Sequence, residues 1–139
     1  TTRYHVELED SVADLHNKEA GLVFSSGYVA NEGALSTLGK LMPDCVIFSD
    51  SMNHASMIHG IRGAGCEKQV FRHNDLDHLE LLLRSVDIKR PKIIAFESVY
   101  SMDGDIGHIA EIADLAEKFQ TSTMPVRERT SSRVSVAMS

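Results

Sequence analysis

The chain has 139 residues, 42% apolar and 24% charged, which allows one ordinary domain with a real core. A net charge of -6 with no Lys/Arg block argues against a nucleic-acid surface, and no apolar run reaches the roughly 18 to 20 residues of a membrane span. Its two cysteines, Cys45 and Cys66, form no C-x-x-C pair, which argues against a disulfide scaffold or a Cys zinc site and for a reduced, intracellular compartment.

Val6, Leu8, Val12, Ala13 and Leu15 recur among Glu and Asp, predicting a helix over 6–17. Ala20 to Phe24 is a compact apolar run closed by Ser25-Ser26-Gly27 and reads as a buried strand and turn. Val29, Leu35, Leu38 and Leu41 restore helical spacing over 28–41, and Pro43 ends it. Val46–Phe48 reads as a second strand, with a helix from about His54 to Ala64. Gln69–Phe71 is a third strand. Asp75 is placed to N-cap a helix reaching Arg84, with Leu76, Leu79, Leu82 and Leu83 inward. Lys92–Phe96 is apolar almost throughout, as in a strand covered on both faces. Ile109–Phe119 is a last helix, with Ile112, Ala113, Leu115 and Ala116 on its inner side. Strands alternating with helices predict an α/β fold with a mainly parallel sheet.

Residues 121–139 differ in kind. They hold eight Ser or Thr, one Glu and three Arg, and no Asp, His or Lys. Such a segment can bury little, so it reads as an atypical, disordered or out-of-frame tail after a folded 1–120. Thr1 opens the chain without a Met, and further segments are expected beyond both ends.

Three strand-to-helix junctions are candidate sites, because ligands in open α/β sheets gather at the carboxyl ends of strands. At Phe24–Asn31 a Ser/Gly turn enters a helix whose first N–H groups can hold an anion; alternatively Ser26 simply caps it. At Ser49–Ile58, Asn53 is the expected N-cap. His54 then faces the strand-end crevice, either stacking on a flat ring or lying as a surface histidine. Zinc explains neither His54/His59 nor His73/His78, each five apart and about 140° apart around a helix. At Phe96–Asp105, Glu97 and Ser101 follow the most apolar strand into an Asp-Gly turn, which is either functional or only a turn. Lys68, between a Gly-rich turn and the third strand, can reach a phosphate or carboxylate or be merely solvated.

FSSGYVAN, SDSMNHASMIHGIR, FRHND and AFESVYSMDGD, in this order and at these separations, resemble the α-oxoamine synthases. These are fold type I enzymes dependent on pyridoxal 5′-phosphate (PLP). The likeness covers about residues 1–120 and implies part of the aminotransferase-type large domain, a three-layer sandwich around a mainly parallel sheet. It implies that Gly27 and Tyr28 offer amides to the PLP phosphate, His54 stacks on the pyridine ring, Ser101 bonds near the phenolic oxygen and Glu97 supports that site. Ser49 and Lys68 would contact an acyl-CoA. The wording of Tyr4–Glu9, FRHND and FESVYSMDGD leans toward glycine and succinyl-CoA as substrates, with sister enzymes acting on other acyl-CoAs left open. The family's Asp-x-x-His strand and Schiff-base lysine have no counterpart after Gln120, so the resemblance assigns no catalytic residue here. It further implies a homodimeric parent in the bacterial cytoplasm or the mitochondrial matrix, without metal, nucleic-acid or membrane partners.

Overall fold

The computed structural model describes residues 2–125. In chain order these form α1 (Arg3–Leu15), α2 (Gly27–Leu41), β1 (Val46–Asp50), α3 (Ala55–Ala64), β2 (Glu67–Phe71), α4 (Leu76–Arg84), β3 (Lys92–Phe96), α5 (Ile109–Lys118) and β4 (Ser122–Pro125). The strands make one sheet in the order β2-β1-β3-β4, with every pairing parallel. Among the described residues no helix is long and apolar enough to cross a membrane.

The core follows from strand alternation, which sends successive side chains to opposite faces. Ile47, Ile93 and Ala95 meet Leu35 of α2 and Met57, Ile61 and Ala64 of α3. Val46, Phe48, Phe71, Ile94 and Phe96 meet Leu79 and Leu83 of α4 and Ile112 and Ala116 of α5 on the other face. The three-layer arrangement expected from the sequence is therefore present. Burial on both faces explains why β1 and β3 are buried at every position, whereas β2, at the sheet edge, buries only Phe71 completely.

Helix ends carry their expected signals. The Ser26 hydroxyl accepts from the Val29 N–H, and the Asp75 carboxylate from the His78 N–H. Gly65, at φ 70°, closes α3 in the left-handed conformation. α2 and α3 cross closely because glycines line the contact: a Cβ on Gly60 would lie 2.9 Å from the Asn31 carbonyl oxygen and from the Leu35 Cβ.

The structure differs from the sequence reading in several places. Ala20–Phe24 is not a strand; its Val23 N–H donates to the Glu9 carboxylate at 2.9 Å, and Leu22 is 72% exposed. The segment lies against α1, with no sheet neighbour among the described residues. Ala113, expected inward, is exposed on α5. The folded part also runs past 120, since Ser122–Pro125 pairs with Ile93–Phe96 as the outer strand β4. Four residues are enough there because backbone hydrogen bonds to β3, rather than side-chain character, define the pairing. The remainder of the expected tail, 126–139, lies outside the described residues.

Candidate functional site

From β1 the chain passes through α3 to β2 on one flank; from β2 it passes through α4 to β3 on the other side of β1. The path therefore reverses between β1 and β3. Their carboxyl ends diverge, because the helices that follow them, α3 and α5, lie on opposite faces. A crevice at such a switch point is where open α/β sheets bind ligands.

The crevice is flanked by His54, four residues beyond β1, and Glu97, immediately after β3. The Glu97 carboxylate accepts a short hydrogen bond from the His54 backbone N–H, joining the two strand ends. His54, not Asn53, is the N-cap of α3: its Nδ1 accepts from the Ser56 N–H at 3.1 Å. The Ser56 hydroxyl lies 2.8 Å from the same nitrogen and accepts from Asn31 Nδ2 at 2.9 Å. With Nδ1 occupied as an acceptor, a neutral His54 ring carries its proton on Nε2. Asn31 and Ser56 are both buried, so the ring's orientation is set from inside the α2–α3 contact.

Asn53 is instead 5% exposed and serves the core. Its Nδ2 donates to the Ser49 hydroxyl at 3.0 Å and to the Ala95 carbonyl at 2.8 Å, tying the end of β1 to β3. Its Oδ1 is buried without a hydrogen-bond partner among the described residues. A side chain so deeply placed cannot reach the exposed first amides of α3, and that leaves the cap to His54.

The second wall is the start of α2. The amides of Gly27 and Tyr28, the first two residues of the helix, have no hydrogen-bond partner among the described residues. The helix dipole adds positive potential there. The Tyr28 ring stands edge-on to the His54 ring, with centroids 6.1 Å apart, and its hydroxyl lies 3.1 Å from His59 Nδ1. A helix start able to accept an anion and an exposed imidazole face are therefore linked through the Tyr28–His54 ring contact. Together they can hold a flat ring that carries an anionic group.

Beyond Glu97 the chain folds into a small hairpin. Val99 and Ile106 bridge antiparallel, the Tyr100 N–H donates to the Asp105 carbonyl at 2.9 Å, and Gly104 turns the tip at φ 69°. Ser101 is exposed on this hairpin. Tyr100 is 2% exposed; its hydroxyl accepts from the Glu97 N–H at 3.3 Å, and burial pushes its pKa well above the ordinary phenol value.

Gly27, Tyr28, His54 and Glu97 thus converge at one crevice, with Ser101 carried on the hairpin that follows Glu97. Ser49 does not join them. It is 5% exposed inside β1, and its hydroxyl is shared between Asn53 and the Asp50 carbonyl. Lys68 is exposed on β2 opposite Ile47, three residues and so about 10 Å before the strand's carboxyl end.

The sequence profile of aminotransferase class I and II matches residues 1–126. The chain belongs to this aminotransferase family. It is 62% identical over 118 residues to 5-aminolevulinate synthase 2 of Cereibacter sphaeroides, covering 85% of this chain and 29% of that protein. The mitochondrial 5-aminolevulinate synthase of Schizosaccharomyces pombe is 59% identical over 121 residues, 87% of this chain and 22% of that one. The chain thus spans less than a third of the length of these relatives. Among solved structures, serine palmitoyltransferase of Sphingomonas wittichii superposes with a TM-score of 0.84 at 32% identity, covering 90% of this chain and 31% of that one. The 8-amino-7-oxononanoate synthase of Francisella tularensis gives 0.69 at 27% identity over 90% of this chain and 34% of that one. The fold type I reading made from the motifs is borne out.

Sequence reasoning missed the interior groups of this crevice. Asn31 and Ser56 act only through contact across two helices 25 residues apart in sequence, a pairing that linear spacing does not reveal. Asp50 and His73 stood inside recognised motifs, but without a partner to give them a role.

Proposed function

We propose that the crevice between β1 and β3 is the phosphate- and ring-face half of a PLP site. The protein carrying it would condense glycine with succinyl-CoA to 5-aminolevulinate, CoA and carbon dioxide, the entry step of haem and tetrapyrrole synthesis. The observation that carries the reading is the contact of the oriented, exposed His54 ring with the ring of Tyr28, at a helix start whose Gly27 and Tyr28 amides have no partner among the described residues. That donor set fits PLP, whose phosphate and aromatic ring need an anion cradle and a flat neighbour. The 57–62% identity to 5-aminolevulinate synthases supports the substrate pair.

When bound, PLP supplies an electron sink that stabilises negative charge on the amino acid's α-carbon. The chain's own residues then have distinct tasks. Gly27 and Tyr28 hold the phosphate by backbone N–H groups. His54 covers one ring face, in an orientation maintained by Ser56 and Asn31. Glu97 fixes the His54 backbone and the start of the hairpin, and Ser101 donates toward the phenolic oxygen. Lys68, exposed on the edge strand, serves a CoA phosphate. Ser49 supports the site through Asn53. The parent is read as a homodimer of the bacterial cytoplasm or the mitochondrial matrix, in keeping with bacterial and mitochondrial relatives.

The test is PLP binding and product formation by the protein carrying this sequence. His54→Ala should weaken PLP binding about tenfold, the loss of one ring contact of roughly 1.4 kcal/mol. Glycine with succinyl-CoA should give 5-aminolevulinate, and PLP affinity indifferent to His54→Ala would sink the site assignment. The structural likeness to 8-amino-7-oxononanoate synthase favours one other reading, a sister enzyme of the same reaction type. Faster turnover with acetyl-CoA or a longer acyl-CoA would establish it.

A further inference from the structure

A second cluster of charged groups sits at the same edge of the sheet, between β2 and the hairpin. His73, just beyond β2, has a carboxylate at each ring nitrogen: Asp50 Oδ1 is 2.9 Å from Nδ1, and Asp105 Oδ2 is 3.0 Å from Nε2. Asp50 belongs to β1 and its side chain is 1% exposed, whereas Asp105 belongs to the hairpin and its side chain is 51% exposed. Tyr100 closes the cluster from above, its ring edge-on to the imidazole with centroids 4.4 Å apart. Asp50 also accepts from the Met52 and Asn74 N–H groups, and Asn74 Nδ2 donates to the Ile106 carbonyl at 3.3 Å. On the histidine's own segment, Arg72 is engaged with Asp75.

Two carboxylates facing two ring nitrogens demand two N–H donors, and only the imidazolium has both. The geometry points to His73 as a cationic clamp, a positioning residue that holds the Ser101-bearing hairpin against the strand ends while protonated and releases it when deprotonated. The importance of Ser101 rests on the cofactor reading above; the clamp itself does not.

Which bond gives way follows from exposure. On loss of a proton to water, one nitrogen keeps a lone pair that faces a carboxylate. Asp50 is buried and would stay charged without solvent, so Nδ1 retains its hydrogen. Asp105 can be hydrated, and Asn74 Nδ2, 3.4 Å from Nε2, is placed to turn its donor toward the freed lone pair. The bond to the hairpin is therefore the one released.

The direction of titration is consistent with this. Burial pulls the His73 pKa down, but hydrogen bonds and charge from Asp50 and Asp105 outweigh it, and the net shift is upward. A group raised in the folded state contributes stability fully below its unfolded value of about 6.5, and loses it as pH climbs through the raised value.

The test reads two exchange rates by mass spectrometry in the protein carrying this sequence. Exchange of the His73 ring C2–H gives its pKa, and backbone amide exchange over 98–107, corrected for intrinsic base catalysis, gives hairpin opening. The pKa should lie above the ordinary histidine value, and opening should rise on the order of tenfold through that same pH, the loss of one charge-assisted hydrogen bond. His73→Gln should hold the hairpin at its high-pH rate throughout. Asp105→Asn, which changes a half-exposed side chain and so spares the core, should lower the His73 pKa and abolish the step.

Opening that is independent of pH, a step away from the His73 midpoint, or a step that survives Asp105→Asn would overturn the clamp. PLP affinity measured in parallel separates the two readings. A step with no PLP binding defeats the cofactor assignment alone, and PLP binding with no step defeats the clamp alone.

Discussion

The two faces of the sheet are built by opposite means. Under α4 and α5 the core is large side chains, Phe48, Phe71, Leu79, Leu83 and Phe96, filling space between well-separated layers. Under α2 and α3 the helices approach through Gly39, Gly60 and Gly63, where added Cβ atoms would press on Ala64, Asn31 or Ser36. Only the second face supplies both the helix start at Gly27 and the oriented ring of His54. Bulk on one face provides stability, and absence of bulk on the other brings Asn31 to Ser56 and so aims the site.

Truncation under α4 and α5 should therefore cost the most and move the site the least. Leu79→Ala, at a fully buried position, should lower unfolding free energy by about 2–5 kcal/mol in urea titrations, with PLP affinity of the folded fraction unchanged. A matching loss of affinity would break the contrast between the faces.

Adding one methyl on the other face should do the reverse. Gly60→Ala drives a Cβ against the Asn31 carbonyl and Leu35, costing about 2–3 kcal/mol, and it should weaken PLP binding by parting α2 from α3. Ser56→Ala sharpens the point at smaller cost. It leaves Asn31 Nδ2 buried without its acceptor, about 1–2 kcal/mol, and leaves His54 Nδ1 with the backbone N–H of residue 56 as its one remaining partner. Ring-nitrogen NMR of His54 should then show a shifted Nδ1 resonance with the Nε2–H tautomer retained, because the backbone cap bond remains.

The least effect belongs to the half-buried cap of α4. The His78 N–H, followed by Arg72, holds the Asp75 carboxyl below the ordinary carboxylate value. A depressed carboxylate contributes above its unfolded pKa and loses that contribution as pH falls through the folded one. Amide protection at His78 should decline only in strong acid, before any change at β1 or β3.

The motifs placed most of the candidate site because its outer parts are local. Helix starts, strand ends and an Asp-Gly tip are written in runs of a few residues, so the helix start at Gly27, the strand ends before His54 and Glu97, and the Asp-Gly turn were legible, although the strand expected before Gly27 is absent. Ala20–Phe24 misled because an apolar run does not specify a partner; the Glu9 carboxylate satisfied Val23 where a neighbouring strand was expected. Asn53 misled for a related reason. Its residue type suits a cap, but its depth beside Ala95 gave it a different bond.

The alternation of apolar strands with amphipathic helices determined, by itself, a parallel α/β sheet, its layers and the edge where open α/β sheets in general bind ligands. These are consequences of side-chain periodicity and of covering a sheet on both faces. Only the tertiary structure decided that His54 caps its own helix, that Ser49 is interior, and that His73 stands between Asp50 and Asp105. Each depends on residues brought together from different elements, and a hydrogen bond formed across the fold leaves no period in the chain.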